Sequence, residues 1–412
     1  MGKHLACSLL KSTHNFPSAN TLLRCCSANQ PTMEACSVPN CSPGVVTMDT
    51  NRWIQLQKEF DAHYSEFERL LSECVRPKNS ADELVQIARY NLAGGKRIRG
   101  CLVAASLEAF IGDSVPDNAA LYRAYIVGWC IEMLHAGFLI HDDIIDNSPT
   151  RRNRTSWFLM QRQAGRGLIA VNDGLHLILT TKFLLHHLFV SSDTTAVGYL
   201  KLLQLFDDVS YRTCWGESLD SAYSRTAPND NTTELLSLDS FTRSNFNEIC
   251  AWKTGFYTFY LPVACGMAIA GTTDEASYSA ASHILLKMGQ YFQAQDDYLD
   301  CFGDVAVTGK VGTDIADGKC SWPIVECLAR ASPEQIKVIQ ENYGRRDPLA
   351  QSAVREVYEQ LHLPQVFADY EAQMRTDIIG DITDWTLSDA CVTRHAQNLF
   401  CDLVDLLFRR AK

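Results

Sequence analysis

The sequence predicts an all-α fold, a single large helical bundle, on three observations. From Asn51 onward, apolar residues recur at three- and four-residue spacing, most plainly over 53–71, 121–139 and 354–370. Strand-like alternation bounded by turn pairs is scarce. The 13 prolines and 23 glycines fall mostly between the periodic stretches. With 412 residues, 46% of them hydrophobic and 21% charged, the chain can bury a large core and is neither disordered nor fibrous.

Taken in order, residues 1–47 stand apart. Lys3, Lys11 and Arg24 meet no acidic residue before Glu34, amid many Ser, Thr and Asn. That composition fits an organellar transit segment and equally an unstructured tail, so cytoplasmic and mitochondrial locations both stay open. The catalytic domain is expected over 48–412. Gly94-Gly95-Lys96-Arg97-Ile98-Arg99-Gly100 joins flexible glycines to three cations before the next periodic stretch. The run ending at Ile140 leads into Asp142. Pro228–Asn231 and Gly344–Pro348 read as surface loops, and Pro364 is expected to kink or split the stretch around it. Trp215 is expected to pack inside, with a place on the cavity wall as the alternative.

Thirty-seven Lys+Arg against 48 Asp+Glu give a net charge of −11. Nucleic-acid binding needs a broad basic face, so it is not expected. No uninterrupted apolar run of about 18 residues is present, so no transmembrane segment is expected. The 16 cysteines show no metal-binding framework and read as reduced core thiols. The sequons at Asn153 and Asn231 are discounted for want of a secretory signal.

Two acidic clusters carry the chemistry: Asp142-Asp143-Ile-Ile-Asp146 and Asp296-Asp297-Tyr-Leu-Asp300. On a helix, Asp142 and Asp146 share one face, as do Asp296 and Asp300. Like charges at that spacing repel, so a cation is required, and carboxylate oxygens suit Mg²⁺, which commonly bridges protein to phosphate. Basic residues grouped near these clusters (Arg151, Arg152, Lys253, Lys310, Lys319) point to a diphosphate ligand on which negative charge develops.

These segments resemble the trans-isoprenyl diphosphate synthases, closest to the eukaryotic farnesyl diphosphate synthase branch. The likeness runs from about Trp53 to Lys412 through GGKRIRG at 94–100, DDIIDNSPTRR at 142–152, KTGFYTFYLPV at 253–263, FQAQDDYLDCFGD at 292–304 and TGKVGTDIADGKCSW at 308–322. It implies the isoprenoid synthase fold, a bundle around a deep central cavity, usually a homodimer, with a cluster of three Mg²⁺ ions held by both acidic motifs. Asp142, Asp146 and Asp296 are implied as metal ligands, supported by Asp143 and Asp300. Arg151, Lys253 and Lys310 are implied to hold an allylic diphosphate, and Lys96, Arg99, Arg152 and Arg410 a second substrate, isopentenyl diphosphate. Lys319 would help close the site, Thr254 and Gln293 would act beside the reacting carbons, and Tyr257, Phe138 and Phe292 would line the pocket.

Five departures from the family pattern stand out: Ala93, His135, Gly137, the segment Asn153–Thr155, and Glu217. Gly137 replaces an aromatic and is expected to deepen the pocket; Glu217 adds an anion to its wall. Asn153 stands where a glycine is usual, a position Asn tolerates best if φ is positive. These departures resemble insect-type terpene synthases. The leading expectation is therefore conversion of farnesyl diphosphate to a sesquiterpene, with chain elongation by isopentenyl diphosphate as the alternative.

Overall fold

A computed structural model describes residues 50–74, 81–190, 196–224, 236–303 and 312–409. The transit-like segment, the 228–231 loop, the Asn231 sequon, Lys310 and Arg410 lie outside the described residues.

The first helices are α1 (Thr50–Ala62), α2 (Tyr64–Cys74), α3 (Ala81–Leu92), α4 (Ile98–Phe110) and α5 (Asn118–Ile145). A two-residue hairpin, β1 (Thr150–Arg151) with β2 (Arg154–Thr155), precedes α6 (Trp157–Gln163), α7 (Ile169–Val190), α8 (Ala196–Tyr223) and α9 (Arg243–Ile249). A π-helix over Cys250–Tyr260 runs into α10 (Leu261–Ile269) and α11 (Glu275–Phe302). Then come α12 (Trp322–Leu328), α13 (Pro333–Asn342), α14 (Pro348–Gln360), α15 (Leu363–Asp384) and α16 (Ala390–Phe408). The expected all-α bundle is what forms.

Helix α5 is the central rod, packed against α4 and α7. It is long and apolar enough to cross a membrane, yet 89% of its most apolar window is buried inside the protein, so it is a core helix. Phe60 stacks on Trp129 at 4.4 Å, both with almost no exposure. Burying each such ring contributes roughly 1.5–3 kcal/mol. Helix α11 divides its faces. Tyr291 and Tyr298, seven residues apart, stack on Phe408 of α16 at 4.0 Å and Phe367 of α15 at 4.1 Å. Asp296 and Asp300 turn the other way, toward a cavity. Pro364 does split its stretch: α14 ends at Gln360, His362 takes a left-handed φ of 52°, and the proline sits in the first turn of α15. Trp215, expected inside, is half exposed against Tyr211, because its face of α8 points outward.

Candidate active site

Both acidic motifs end helices and open onto one cavity of about 400 Å³. Helix α5 stops in a Schellman arrangement: Asn147 is left-handed at φ 49°, and the Ser148 amide donates to the Asp143 carbonyl at 2.9 Å. Asp142 and Asp146 therefore stand at the negative end of a helix dipole, which adds to their mutual repulsion. Three cations offset this. Arg151 donates to Asp142 at 2.8 Å and to Asp143 at 2.6 Å. Lys253 donates to Asp142 at 3.1 Å, and Lys319 to Asp146 at 2.9 Å.

The hairpin delivers Arg151. Its two loop residues, Arg152 and Asn153, have φ of 53° and 58°, the left-handed pair that a tight two-residue hairpin requires. The asparagine departure therefore falls where Asn is best tolerated. Lys253 is delivered by the π-helix, squeezed between α8 and α11. A Cβ at Gly216 of α8 would lie 2.1 Å from the Lys253 amide nitrogen, so only glycine allows this approach. Lys319 is positioned by its carbonyl, which accepts from the buried Tyr343 hydroxyl at 2.6 Å.

Asp220, which the sequence reading did not single out, is the hub. It accepts from Lys253 at 2.7 Å and from Lys319 at 2.9 Å. Burial pushes its carboxyl up, but the two ammonium groups outweigh this and hold it at about 2. Thr213, Glu217 and Asp220 fall at i, i+4 and i+7 on α8, a spacing that could have revealed it. Glu217 lies 3.1 Å from Lys253; burial, offset in part by that lysine, lifts it to about 7. Lys253 itself is buried, which lowers its pKa, yet Asp220, Asp142 and Glu217 together carry it well above the usual range.

The middle acids behave differently from the outer ones. Asp143, expected to support the metal, is buried off the cavity wall in the grip of Arg151, and burial lifts it to about 6. Asp297 accepts from the Trp322 amide and from Gln293, both at 2.8 Å, and burial lifts it to about 7. Asp300 accepts from the Asp314 amide at 3.0 Å, fixing the segment that leads to Lys319. Asp142, Asp146, Asp296 and Asp300 all line the cavity. This set of hard oxygen donors fits Mg²⁺.

The remaining site residues expected from the sequence divide. Phe138, Tyr257, Phe292, Gln293, Thr254 and Glu217 line the cavity, and the Thr254 hydroxyl donates to Gln293 at 2.5 Å. Gly137 does not. It faces Gly174 of α7, where an added Cβ would lie 2.8 Å from the Gly174 carbonyl oxygen and 2.7 Å from Ile178. Its small size serves helix approach, and the expected deepening of the pocket is corrected. His135 is also off the wall, stacked behind Tyr257 at 5.5 Å; burial and nearby arginines hold its pKa well below the usual value. Arg99 lies 4.9 Å from the same tyrosine ring and donates to Thr258 at 2.9 Å. Arg152 donates to the carbonyls of Asn91, Ala93 and Gly94. Lys96 is exposed on the loop before α4. Arg99 thus lies behind Tyr257, and neither Arg152 nor Lys96 is part of the cavity lining.

The fold and cavity define a helical-bundle protein whose acidic helix ends, interlaced with cations, open onto one cavity. A family model described as polyprenyl synthetase matches residues 81–361, and the chain belongs to that family. It is 40% identical over 337 residues to the farnesyl pyrophosphate synthase of Bos taurus, covering 81% of this chain and 92% of the relative. It is 42% identical over 289 residues to that of Schizosaccharomyces pombe, covering 70% and 79%. The solved Trypanosoma brucei farnesyl diphosphate synthase complexed with minodronate matches with a TM-score of 0.74 at 30% identity, covering 87% of this chain and 100% of that one.

Proposed function

We propose that this protein is a chain-elongating prenyltransferase, condensing isopentenyl diphosphate with an allylic diphosphate to give a farnesyl-class product. The observation that carries this reading is a pair of basic groups: Arg151, Lys253 and Lys319 at the cavity, and Arg99 on the Tyr257 ring with Arg152 in electrostatic reach of it. Two diphosphates need two such groups. The farnesyl pyrophosphate synthase relatives support the same reading, and the comparisons lend no support to the expected terpene synthase.

Mg²⁺ held by Asp142, Asp146 and Asp296, with Asp300 beside them, would supply charge neutralisation of a departing diphosphate. Arg151, Lys253 and Lys319 exchange their aspartate partners for phosphate oxygens when substrate arrives. The allylic C–O bond breaks, the double bond of the second substrate attacks the allylic carbon, and a proton leaves the new chain. Phe138, Tyr257 and Phe292 wall the carbons and exclude water that would quench the cation. Thr254 and Gln293, joined by their hydrogen bond, orient the neighbouring wall. A homodimer is supported by the stripe Val171, Leu175, Leu179 and Phe183, an i, i+4 series exposed along α7.

Ionisation without a second substrate is favoured by one observation: Arg99 and Arg152 already spend hydrogen bonds on Thr258 and on backbone carbonyls. Purified protein with Mg²⁺ is given farnesyl diphosphate alone, and separately geranyl plus isopentenyl diphosphates. A longer diphosphate from the second mixture is expected. A volatile hydrocarbon or alcohol from the first, with no elongation in the second, would replace this reading by the terpene synthase.

A further inference from the structure

A second cluster of ligating side chains lies outside the cavity. Asp113, in the turn between α4 and α5, faces Cys391 and His395 on the first turns of α16, and the three donor atoms lie within 4.8 Å of one another. His395 Nε2 is 2.8 Å from an Asp113 carboxylate oxygen. Cys391 and His395 are at i and i+4, so both project from one face of the helix. Gly112 brings the turn against them: its φ is +66°, and a Cβ there would sit 3.2 Å from Cys391 Sγ. Both supports are anchored, since α16 packs on α4 and Trp385 contacts Phe110 and Phe400.

We propose that Asp113, Cys391 and His395 form a Zn²⁺-class metal site that clips the last helix to the α4–α5 turn. One carboxylate oxygen, one imidazole nitrogen and one thiolate sulfur suit a borderline transition metal far better than Mg²⁺, with water completing a tetrahedron. Three points no more than 4.8 Å apart have a centre within about 2.8 Å of each, so side-chain shifts of at most about 0.5–0.8 Å reach the ~2.0–2.3 Å that such ligands need. Binding releases the Cys391 thiol proton to solvent and uses neutral His395 and ionised Asp113. Asp389 already accepts from the Cys391 and Val392 amides, so the helix start does not compete for the ligands. Arg394, 3.6 Å from Asp113 and 3.9 Å from Cys391 Sγ, is the competing cation; its side chain is exposed and has room to swing away.

Cobalt(II) is the probe. The full-length protein is held reduced in excess Mg²⁺, which occupies the acidic motifs, and titrated with Co²⁺. A saturable thiolate-to-cobalt charge-transfer band at one equivalent is expected. Cys391→Ser should abolish it, His395→Ala should weaken Co²⁺ binding by at least ~10-fold, and Arg394→Ala should tighten it. Zn²⁺ should raise the melting temperature of the wild-type protein and not that of Cys391→Ser, while both turn over substrate alike with Mg²⁺. Absence of the band in the wild type, or its persistence in Cys391→Ser, would overturn the proposal.

Discussion

Asp220→Asn tests the charge hub most directly. The substitution keeps the shape and removes the carboxylate that Lys253 and Lys319 share at 2.7 and 2.9 Å. Asp220 is held at about 2 against an ordinary 3.8, a depression of roughly 2 units. At about 1.4 kcal/mol per unit this is on the order of 2–3 kcal/mol of folding stability. A depressed carboxyl contributes fully above its unfolded value and loses the contribution as pH falls toward the folded one. The gap between variant and wild type should therefore hold constant from about pH 8 to 5 and close below about pH 4. Lys253 keeps Asp142 and Glu217, and Lys319 keeps Asp146, so the larger penalty of a stranded buried charge is avoided. With an unfolding entropy of ~2.1 cal/mol/K per residue over roughly 360 residues, the melting temperature should drop by ~3 °C. Turnover should fall by ~10- to 100-fold as both lysines lose their fixed positions. Urea unfolding with chelator present, followed by circular dichroism, measures the stability. A difference below about 0.5 kcal/mol would refute the argument that this carboxylate holds the lysines.

Other outcomes follow from the same geometry. Asp142→Ala and Asp296→Ala should each reduce turnover by at least ~10²-fold with an unchanged circular dichroism spectrum; near-normal rates in both would sink the assignment of these carboxylates to the metal. Gly137→Ala should lower stability by ~1–3 kcal/mol through overpacking against Gly174 and Ile178, measured by urea unfolding, and leave the product length alone; an unchanged stability would mean the helices part freely. His135 is buried neutral, its pKa held below the usual 6.5 by burial and the arginines, so the unfolded chain takes up the proton first. Stability should fall as pH drops below 6.5, by up to ~1.4 kcal/mol per unit from this group, and His135→Gln should flatten that slope. Equal slopes in the two proteins would count against a neutral His135.

The helical class and the two acidic faces were legible along the chain, because the 3.6-residue period places apolar residues on one side and puts Asp142 with Asp146, and Asp296 with Asp300, on a shared side. Also legible were the break at Pro364 and, at Asn153, a residue that tolerates a positive φ if one is needed, since both are properties of the local backbone. Which charges meet became visible with the folded chain. Lys253 lies 111 residues from Asp142, and Lys319 lies 173 from Asp146, so no local spacing could pair them. The same holds for Gly137, whose partner Gly174 comes from another helix: its missing side chain resembled an enlarged pocket until the packing showed it to be a close helix contact. Local periodicity follows from bonds between near neighbours, whereas electrostatic hubs and helix crossings depend on distances that exist only after the chain has closed on itself.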